Sequence, residues 1–335
     1  MPTKIAINGL GRIGRPSLRM ALENPELEVV AVNDLAAPDT IVHLLKHDSV
    51  YGNYEKEVSY DGDNLIVDGE KIDFLSEKDP SQLPWDEKDV DVVLECTGVF
   101  RHLEDAQKHR EAGAKQVVIS APGKGGDIPS YVLGVNEDKF SLDDEVIDMG
   151  SCTTNCLAPV ADVLNREYGI DNGFMTTIHS YTSSQSLLDL PQEDLRRARA
   201  AAENLVPTTT GAAKAIGKVI PELDGKLDGM AVRAPTPVVS LLDAVFELGQ
   251  DVTKEEVNET FEKYAQGDLE EILDLEHEPL VSMDFKQNSH SAVIDARSTR
   301  ANKNLVKILA WYDNEHGYAR RLVDFAEFIG SKLSQ

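Results

Sequence analysis

Residues 3–24, "TKIAINGLGRIGRPSLRMALEN", restrict the fold of this chain more than any other stretch. A short apolar run leads into Gly9, Gly11 and Gly14, spaced G-x-G-x-x-G, and apolar residues then recur at helical intervals. That order predicts a strand, a tight turn and a helix. The first glycine permits the turn and the second lets a pyrophosphate approach the backbone. The third allows close packing of helix on sheet, with the phosphates at the helix N-terminus. The second strand-like run, "LEVVAVND", ends on Asp34, 20 residues after Gly14. A carboxylate there accepts from a ribose 2′-hydroxyl and repels a 2′-phosphate, so the expected cofactor is NAD rather than NADP.

"DVVLECTG" and "QVVIS" read as further buried strands, separated by the helical "LEDAQKHREAG". This alternation predicts an α/β first domain with a Rossmann-type, doubly wound parallel sheet. Cys96 in the first of these strands is most simply a small buried hydrophobe. Past about residue 150 the strand-like runs lengthen and alternate, as in "GFMTTIHSYT", "GMAVRAPTPVVSLLDAVFEL", "HSAVIDARST" and "LVKILAWYDN". The expectation is an α+β second domain with a mixed or antiparallel sheet covered by helices on one side. "GYARRLVDFAEFIGSKL" is helical by the spacing of Leu322, Phe325, Ala326 and Ile329.

Fifty-nine acidic residues against 33 basic ones give a formal net charge of −26. Such a surface repels nucleic acid and anionic lipid, so neither is expected as a partner. No window reaches the roughly 18 apolar residues of a membrane span, and the first residues do not read as a secretory signal. With three cysteines, the expected home is a reducing cytoplasm. The charge exceeds what solubility needs, which suggests a salt-adapted (halophilic) protein whose carboxylates are screened at high salt; an ordinary acidic cytoplasmic protein is the alternative.

Two of the cysteines, Cys152 and Cys156, lie in "DMGSCTTNCLAPVADVL". Apolar residues at 156, 157, 160, 163 and 164 follow helical spacing, so a helix is expected to begin at Ser151–Cys152. Cys152 then sits where backbone N–H groups and the helix dipole favour a thiolate, while Cys156 points into packing. No second Cys pair or His-x₃-His completes a metal site around C-x₃-C, and no metal is expected. A redox pair would more usually be spaced C-x-x-C. His179 in "TTIHSYT", 27 residues on, is the best partner for an activated thiol, because an imidazole can take and return its proton. Arg196, Arg197 and Arg199 form a basic cluster that salt bridges could explain. Arg233, flanked by apolar residues in "GMAVRAPTP", and these arginines also suit phosphate recognition.

Taken together, "INGLGRIGR", "SCTTNC", "HSYT", "RRARAAAENLVPTTTGAAKA", "GMAVRAPTP" and "WYDNEHGY" resemble the phosphorylating glyceraldehyde-3-phosphate dehydrogenase family, in order along essentially the whole chain. The resemblance implies that Cys152 attacks the aldehyde of glyceraldehyde 3-phosphate with His179 as base, giving a thiohemiacetal. Hydride transfer to NAD then leaves a thioester, and inorganic phosphate releases 1,3-bisphosphoglycerate. It implies that Thr182 and Arg233 hold the substrate phosphate. Ser151, Thr153, Thr210, Gly211 and Arg199 would hold the attacking phosphate, with Arg199 able to serve both. Arg12 and Ile13 would meet the pyrophosphate, Thr97 and Ser120 would line the cofactor site, and Asn314 would orient the nicotinamide carboxamide.

Family organisation would place an NAD-binding domain at residues 1–151 and a catalytic domain at 152–316. A loop at about 181–206 would reach a neighbour in a homotetramer, and a C-terminal helix at 317–335 would return to the first domain. Leu190 and Pro191 are similar to NAD-using members. His316 stands where the family usually carries an aromatic, and the acidity is unusual for the family. Close to this reading lies an erythrose-4-phosphate dehydrogenase. A dinucleotide-sensing binding protein with an idle thiol is a different class of alternative.

Overall fold

The computed structural model describes residues 1–334 and divides into two compact units. The first comprises residues 1–131, 138–150 and 319–334, the second residues 132–137 and 151–318; residue 335, the last of the expected C-terminal helix, lies outside the described residues.

In the first unit, β1 (Thr3–Asn8), α1 (Gly14–Ala21) and β2 (Leu27–Asn33) follow one another as the glycine motif predicts. α2 (Pro38–Lys46) precedes a small ribbon, β3 (His47–Asp48) with β4 (Gly52–Asn53). An antiparallel excursion through β5 (Val58–Tyr60) and β6 (Asn64–Val67) leads into β7 (Glu70–Leu75), and the periodicity had not suggested it. β8 (Val92–Glu95), α3 (Leu103–Glu111), β9 (Gln116–Ile119) and β10 (Val146–Asp148) complete the sheet. Its order is β10-β9-β8-β1-β2-β7-β6-β5. Counting only the parallel strands in chain order gives 3-2-1-4-5-6, the doubly wound arrangement. The order reverses between β1 and β8, which opens a crevice beyond their carboxyl ends. Ile5, Ala6, Ile7, Val92, Val93 and Leu94 are all fully buried, as central parallel strands require.

The second unit is built on α4 (Cys152–Tyr168) and a sheet of β11 (Ile170–Ser180), β12 (Val206–Thr208), β13 (Leu227–Ala234), β14 (Ser240–Leu248), β15 (Leu273–Glu276), β16 (Ala292–Asp295), β17 (Arg300–Asn302) and β18 (Leu305–Tyr312). The strand order is β12-β13-β11-β14-β18-β16-β15, with β17 on β18. β11 runs parallel to β13 and antiparallel to β14, so the sheet is mixed. α5 (Ala212–Val219) and α6 (Lys254–Ala265) belong to the same unit, and α7 (His316–Leu333) carries the chain on from residue 316.

"GMAVRAPTPVVSLLDAVFEL" looked like one long strand but forms two, β13 and β14. Pro235 and Pro237 cannot donate to a ladder, and Val239 adopts a left-handed φ of 66° there.

α4 holds the second unit together. Ser151 caps it: its side chain accepts the Thr154 N–H at 3.1 Å, and Thr154 Oγ1 accepts the Ser151 N–H at 3.2 Å. Gly169, at φ 72°, ends it. Cys156, Leu157, Val160, Ala161 and Leu164 are fully buried in one core with Leu242, Ala244, Phe246, Ile308 and Ala310. Each large side chain so buried contributes about 1.5–3 kcal/mol. An Asp at Val160 would place a charge in that core and break it. Val132 and Val135 join the same core, which is why residues 132–137 count with this unit.

Candidate active site

The cap on α4 sets the position of Cys152. As the first helical residue it stands at the positive end of the helix, half-buried, with Cys156 fully buried one turn on. The C-terminal end of β11 supplies His179, 5% exposed. Its Nε2 lies 3.4 Å from Cys152 Sγ, so the two residues 27 apart in sequence meet.

The other ring nitrogen has two claimants. Nδ1 lies 2.8 Å from the Ser180 carbonyl oxygen and 2.6 Å from Arg233 Nη1. The register pairs His179 with Arg233 across β11 and β13, which explains the proximity. A guanidinium can only donate. With Arg233 in place Nδ1 accepts and the ring proton sits on Nε2; with Arg233 withdrawn, Nδ1–H can donate to Ser180 and free Nε2 as a base.

Burial, reinforced by the Arg233 charge, pushes the His179 pKa down to about 3, against the opposing pull of the Ser180 carbonyl. Burial also raises the Cys152 thiol, although the Arg233 charge and hydrogen bonds from Thr153 draw it down. The helix terminus alone had suggested a thiolate. Burial outweighs it here, so the sulfur needs a base.

Tyr312 ties the two carriers together. Its hydroxyl lies 2.9 Å from Thr153 Oγ1 on α4 and 2.7 Å from Thr177 Oγ1 on β11, and its ring meets His179 edge-on. Sequence reading had passed over it, although it stands in "WYDNEHGY". Asn314 is buried nearby in the chain, its Oδ1 accepting from Ser240 Oγ at 3.0 Å. Ser240 Oγ accepts the Ser180 N–H at 3.1 Å, and Ser180 Oγ donates to the carbonyl of the left-handed Val239 at 2.8 Å. Asn314 is thus linked to the strand end that carries His179.

The expected phosphate contacts are less uniformly gathered. Thr182 is half-buried, with its hydroxyl 2.8 Å from Ser184 Oγ. Thr210 and Gly211 stand at the start of α5, where Thr210 Oγ1 accepts the Ala212 N–H. Arg199 lies on an exposed stretch with its Nε 3.0 Å from Asp189. Arg197 instead turns inward, its Nε donating to Thr208 Oγ1 at 2.9 Å. Spacing could not separate the two arginines, because the loop that carries them has no repeat. His316 N–H donates to the buried Asp313 carboxylate at 2.9 Å as α7 begins.

In the first unit, a cavity of about 790 Å³ opens beyond the carboxyl ends of β1, β2 and β8. Gly9, Gly11, Asp34 and Thr97 are among the residues that line it. Asn8, Glu77 and Phe100 line it too, and the motif had not singled them out. A Cβ on Gly9, at φ 94°, would meet the Thr97 backbone nitrogen at 2.8 Å, and one on Gly14 would meet the Gly9 carbonyl oxygen at 1.9 Å. Gly11 faces open space. No side chain caps α1 at Ile13, and its first turn carries no acid, so its N-terminus is suited to an anion. Arg12 pairs with Asp48 and lies over the Tyr51 ring. Asp34 Oδ2 accepts the Leu10 N–H at 2.7 Å and Oδ1 the Ala36 N–H at 2.8 Å. Each oxygen keeps acceptor capacity for a ribose hydroxyl. The Ser120 N–H donates to the Glu95 carbonyl at the end of β9. These residues fit a dinucleotide. Among the described residues no group of three or more His, Cys, Asp or Glu side chains is placed to hold a metal, and no helix is long and apolar enough to cross a membrane.

Residues 3–103 match the family described as "Glyceraldehyde 3-phosphate dehydrogenase, NAD binding domain", and residues 151–314 match its C-terminal domain. The chain is 55% identical over 334 residues to glyceraldehyde-3-phosphate dehydrogenase 1 of Bacillus subtilis (strain 168), covering 99% of each. It is equally similar, 55% over the same coverage, to glyceraldehyde-3-phosphate dehydrogenase of Geobacillus stearothermophilus, and 54% identical to that of Priestia megaterium.

Proposed function

The chain belongs to the glyceraldehyde-3-phosphate dehydrogenase family, and from that premise we propose how its own residues carry the reaction. It is an NAD-dependent oxidoreductase that converts glyceraldehyde 3-phosphate and inorganic phosphate to 1,3-bisphosphoglycerate in glycolysis or gluconeogenesis. The 3.4 Å approach of Cys152 Sγ to His179 Nε2 carries the assignment of roles.

Cys152 Sγ bonds to the aldehyde carbon as His179 Nε2 takes the thiol proton. The Cys152 N–H at the helix start and the protonated His179 donate to the oxyanion. Thr182 and Arg233 bind the substrate phosphate. Drawing Arg233 toward that dianion leaves Nδ1–H on the Ser180 carbonyl, so the substrate's remote end helps to prepare the base. When bound, NAD supplies the hydride acceptor that turns the thiohemiacetal into a thioester. Gly9, Gly11, Arg12, Ile13, Gly14, Asp34, Thr97, Ser120 and Asn314 hold it. Ser151, Thr153, Thr210, Gly211 and Arg199 place the attacking phosphate, and cleavage of the C–S bond returns the sulfur to His179.

The active form is a cytoplasmic homotetramer. Leu187, Leu188, Leu190, Leu195 and Leu205 are 62–80% exposed along the loop after β11, and Phe174 projects from the open face of the sheet. An apolar surface of this kind is suited to copies of the same chain.

NAD reduction with glyceraldehyde 3-phosphate, with phosphate omitted and restored, tests the reading in low and molar KCl. Turnover should require phosphate and vanish in Cys152→Ser, which should still bind NAD. No turnover at either salt concentration, or full activity in Cys152→Ser, overturns it.

A further inference from the structure

Behind the crevice runs a buried polar chain that the reaction steps do not use. Trp85 and His109 are both 0% exposed, and Trp85 Nε1–H donates to His109 Nδ1 at 2.9 Å. An indole nitrogen can only donate, so Nδ1 accepts and the ring proton belongs to Nε2. Nε2 stands 3.2 Å from Glu95 Oε2, to which it donates. The same oxygen accepts from Asn8 Nδ2 at 2.5 Å. The two nitrogens, 3.4 Å apart, are donors converging on one acceptor. Glu95 Oε1 accepts the Thr97 N–H at 2.8 Å and the Thr97 hydroxyl. Four donors therefore saturate one carboxylate that is 1% exposed.

Beyond Asn8 the chain continues. Asn8 Oδ1 accepts from Asn33 Nδ2 at 2.7 Å, and Asn33 Oδ1 accepts the Glu77 N–H at 2.8 Å. Asn33 Nδ2 also donates to the Glu77 carbonyl at 2.9 Å. Because Trp85 can only donate and Glu95 only accept, the imidazole tautomer between them is fixed, and the Glu95 carboxylate and the Glu77 backbone fix which way the Asn8 and Asn33 amides face. The chain joins the ends of β1, β2 and β8, the turn at Glu77 and helix α3. Those segments present Asn8, Asp34, Glu77, Thr97 and Lys108 to the cavity.

We propose that Trp85, His109 and Glu95 are positioning residues for the dinucleotide: their directed hydrogen-bond chain holds Asn8 and Thr97 in the crevice wall at the separation that binding needs. This rests on the reading that the crevice takes NAD. Nothing in the chain touches the reacting atoms, so its loss should appear in cofactor affinity rather than in turnover.

The test uses Glu95→Gln, His109→Leu, His109→Gln and Trp85→Phe in the full-length protein. NAD and AMP affinities are measured by calorimetry, kcat and both KM values by kinetics, and unfolding by urea. In Glu95→Gln the amide nitrogen must face a pair of donors whichever way it turns. NAD affinity and KM for NAD should worsen about tenfold there and in His109→Leu, with kcat and KM for the aldehyde within about twofold of wild type. AMP should weaken by the same factor as NAD. His109→Gln should recover most of the loss, since its amide offers both an acceptor and a donor. Should Glu95→Gln not fold, Trp85→Phe, which removes the N–H donor together with the five-membered ring that carries it, must still weaken NAD by about threefold. Unchanged NAD affinity in Trp85→Phe and His109→Leu, or equal damage to kcat and both KM values, overturns the proposal. A wild-type protein that binds no NAD would instead refute the crevice assignment itself.

Discussion

His179 makes the stability of the second unit depend on pH in a direction that can be worked out. Its pKa is pushed down to about 3, by burial first and by Arg233 second, against about 6.5 in an unfolded chain. Between those values the unfolded state binds a proton that the folded state refuses. Stability from this group is therefore constant above about pH 7 and falls as pH drops through 6.5, approaching about 1.4 kcal/mol per pH unit. From about pH 7.5 to about pH 5 the loss sums to about 2 kcal/mol. Urea unfolding of wild type and His179→Gln, at one fixed subunit concentration, isolates it. The glutamine cannot titrate, so the difference between the two curves removes the 59 acidic residues, whose protonation relieves repulsion and acts in the opposite sense. The wild-type advantage should shrink by about 2 kcal/mol toward pH 5. A flat difference, or one that grows in acid, would mean that His179 is protonated in the fold at least as readily as out of it.

Other parts of the structure lead to further expectations. Gly14→Ala should lose about 3 kcal/mol, because its Cβ would fall 1.9 Å from the Gly9 carbonyl oxygen. Gly11→Ala, facing open space, should fold within about 0.5 kcal/mol of wild type; thermal unfolding that ranks the two the other way contradicts the turn geometry. Tyr312→Phe strips a partner from Thr153 and Thr177, buried at 3% and 0% exposure, and should cost about 2 kcal/mol in urea. Equal stability would show that the hydroxyl bridge contributes nothing. With a net charge of −26, the folded state should gain stability between low and molar KCl as repulsion is screened, and a falling or level urea midpoint would remove the case for salt adaptation.

What could be read in advance was what neighbours in sequence decide. The glycine turn needs only Gly9, Gly11 and Gly14 in order, and the start of α4 needs only Ser151 before an apolar helical stripe. Asp34 could be placed because strand length fixes where β2 ends. Burial was harder to foresee: the helix terminus predicted an easy thiolate at Cys152, while the folded surroundings raise the thiol. Arg197 and Arg199 differ by two positions in an irregular loop, and only tertiary contacts send one to Thr208 and the other to Asp189. Trp85, Glu95 and His109 share no period or motif. Their relation exists only once β8 and α3 are in place.

In the homotetramer proposed above, the leucines exposed on the loop after β11 bear on the order of assembly. To form it, newly folded chains carrying this apolar surface would have to find one another before they find anything else, yet each bears a charge of −26. Like charge slows diffusional encounter most where counterions are fewest. Subunit association should therefore be a slow, salt-accelerated step. Dilute salt would lengthen the life of the unassembled chain and its exposure to aggregation, whatever the stability of the finished enzyme.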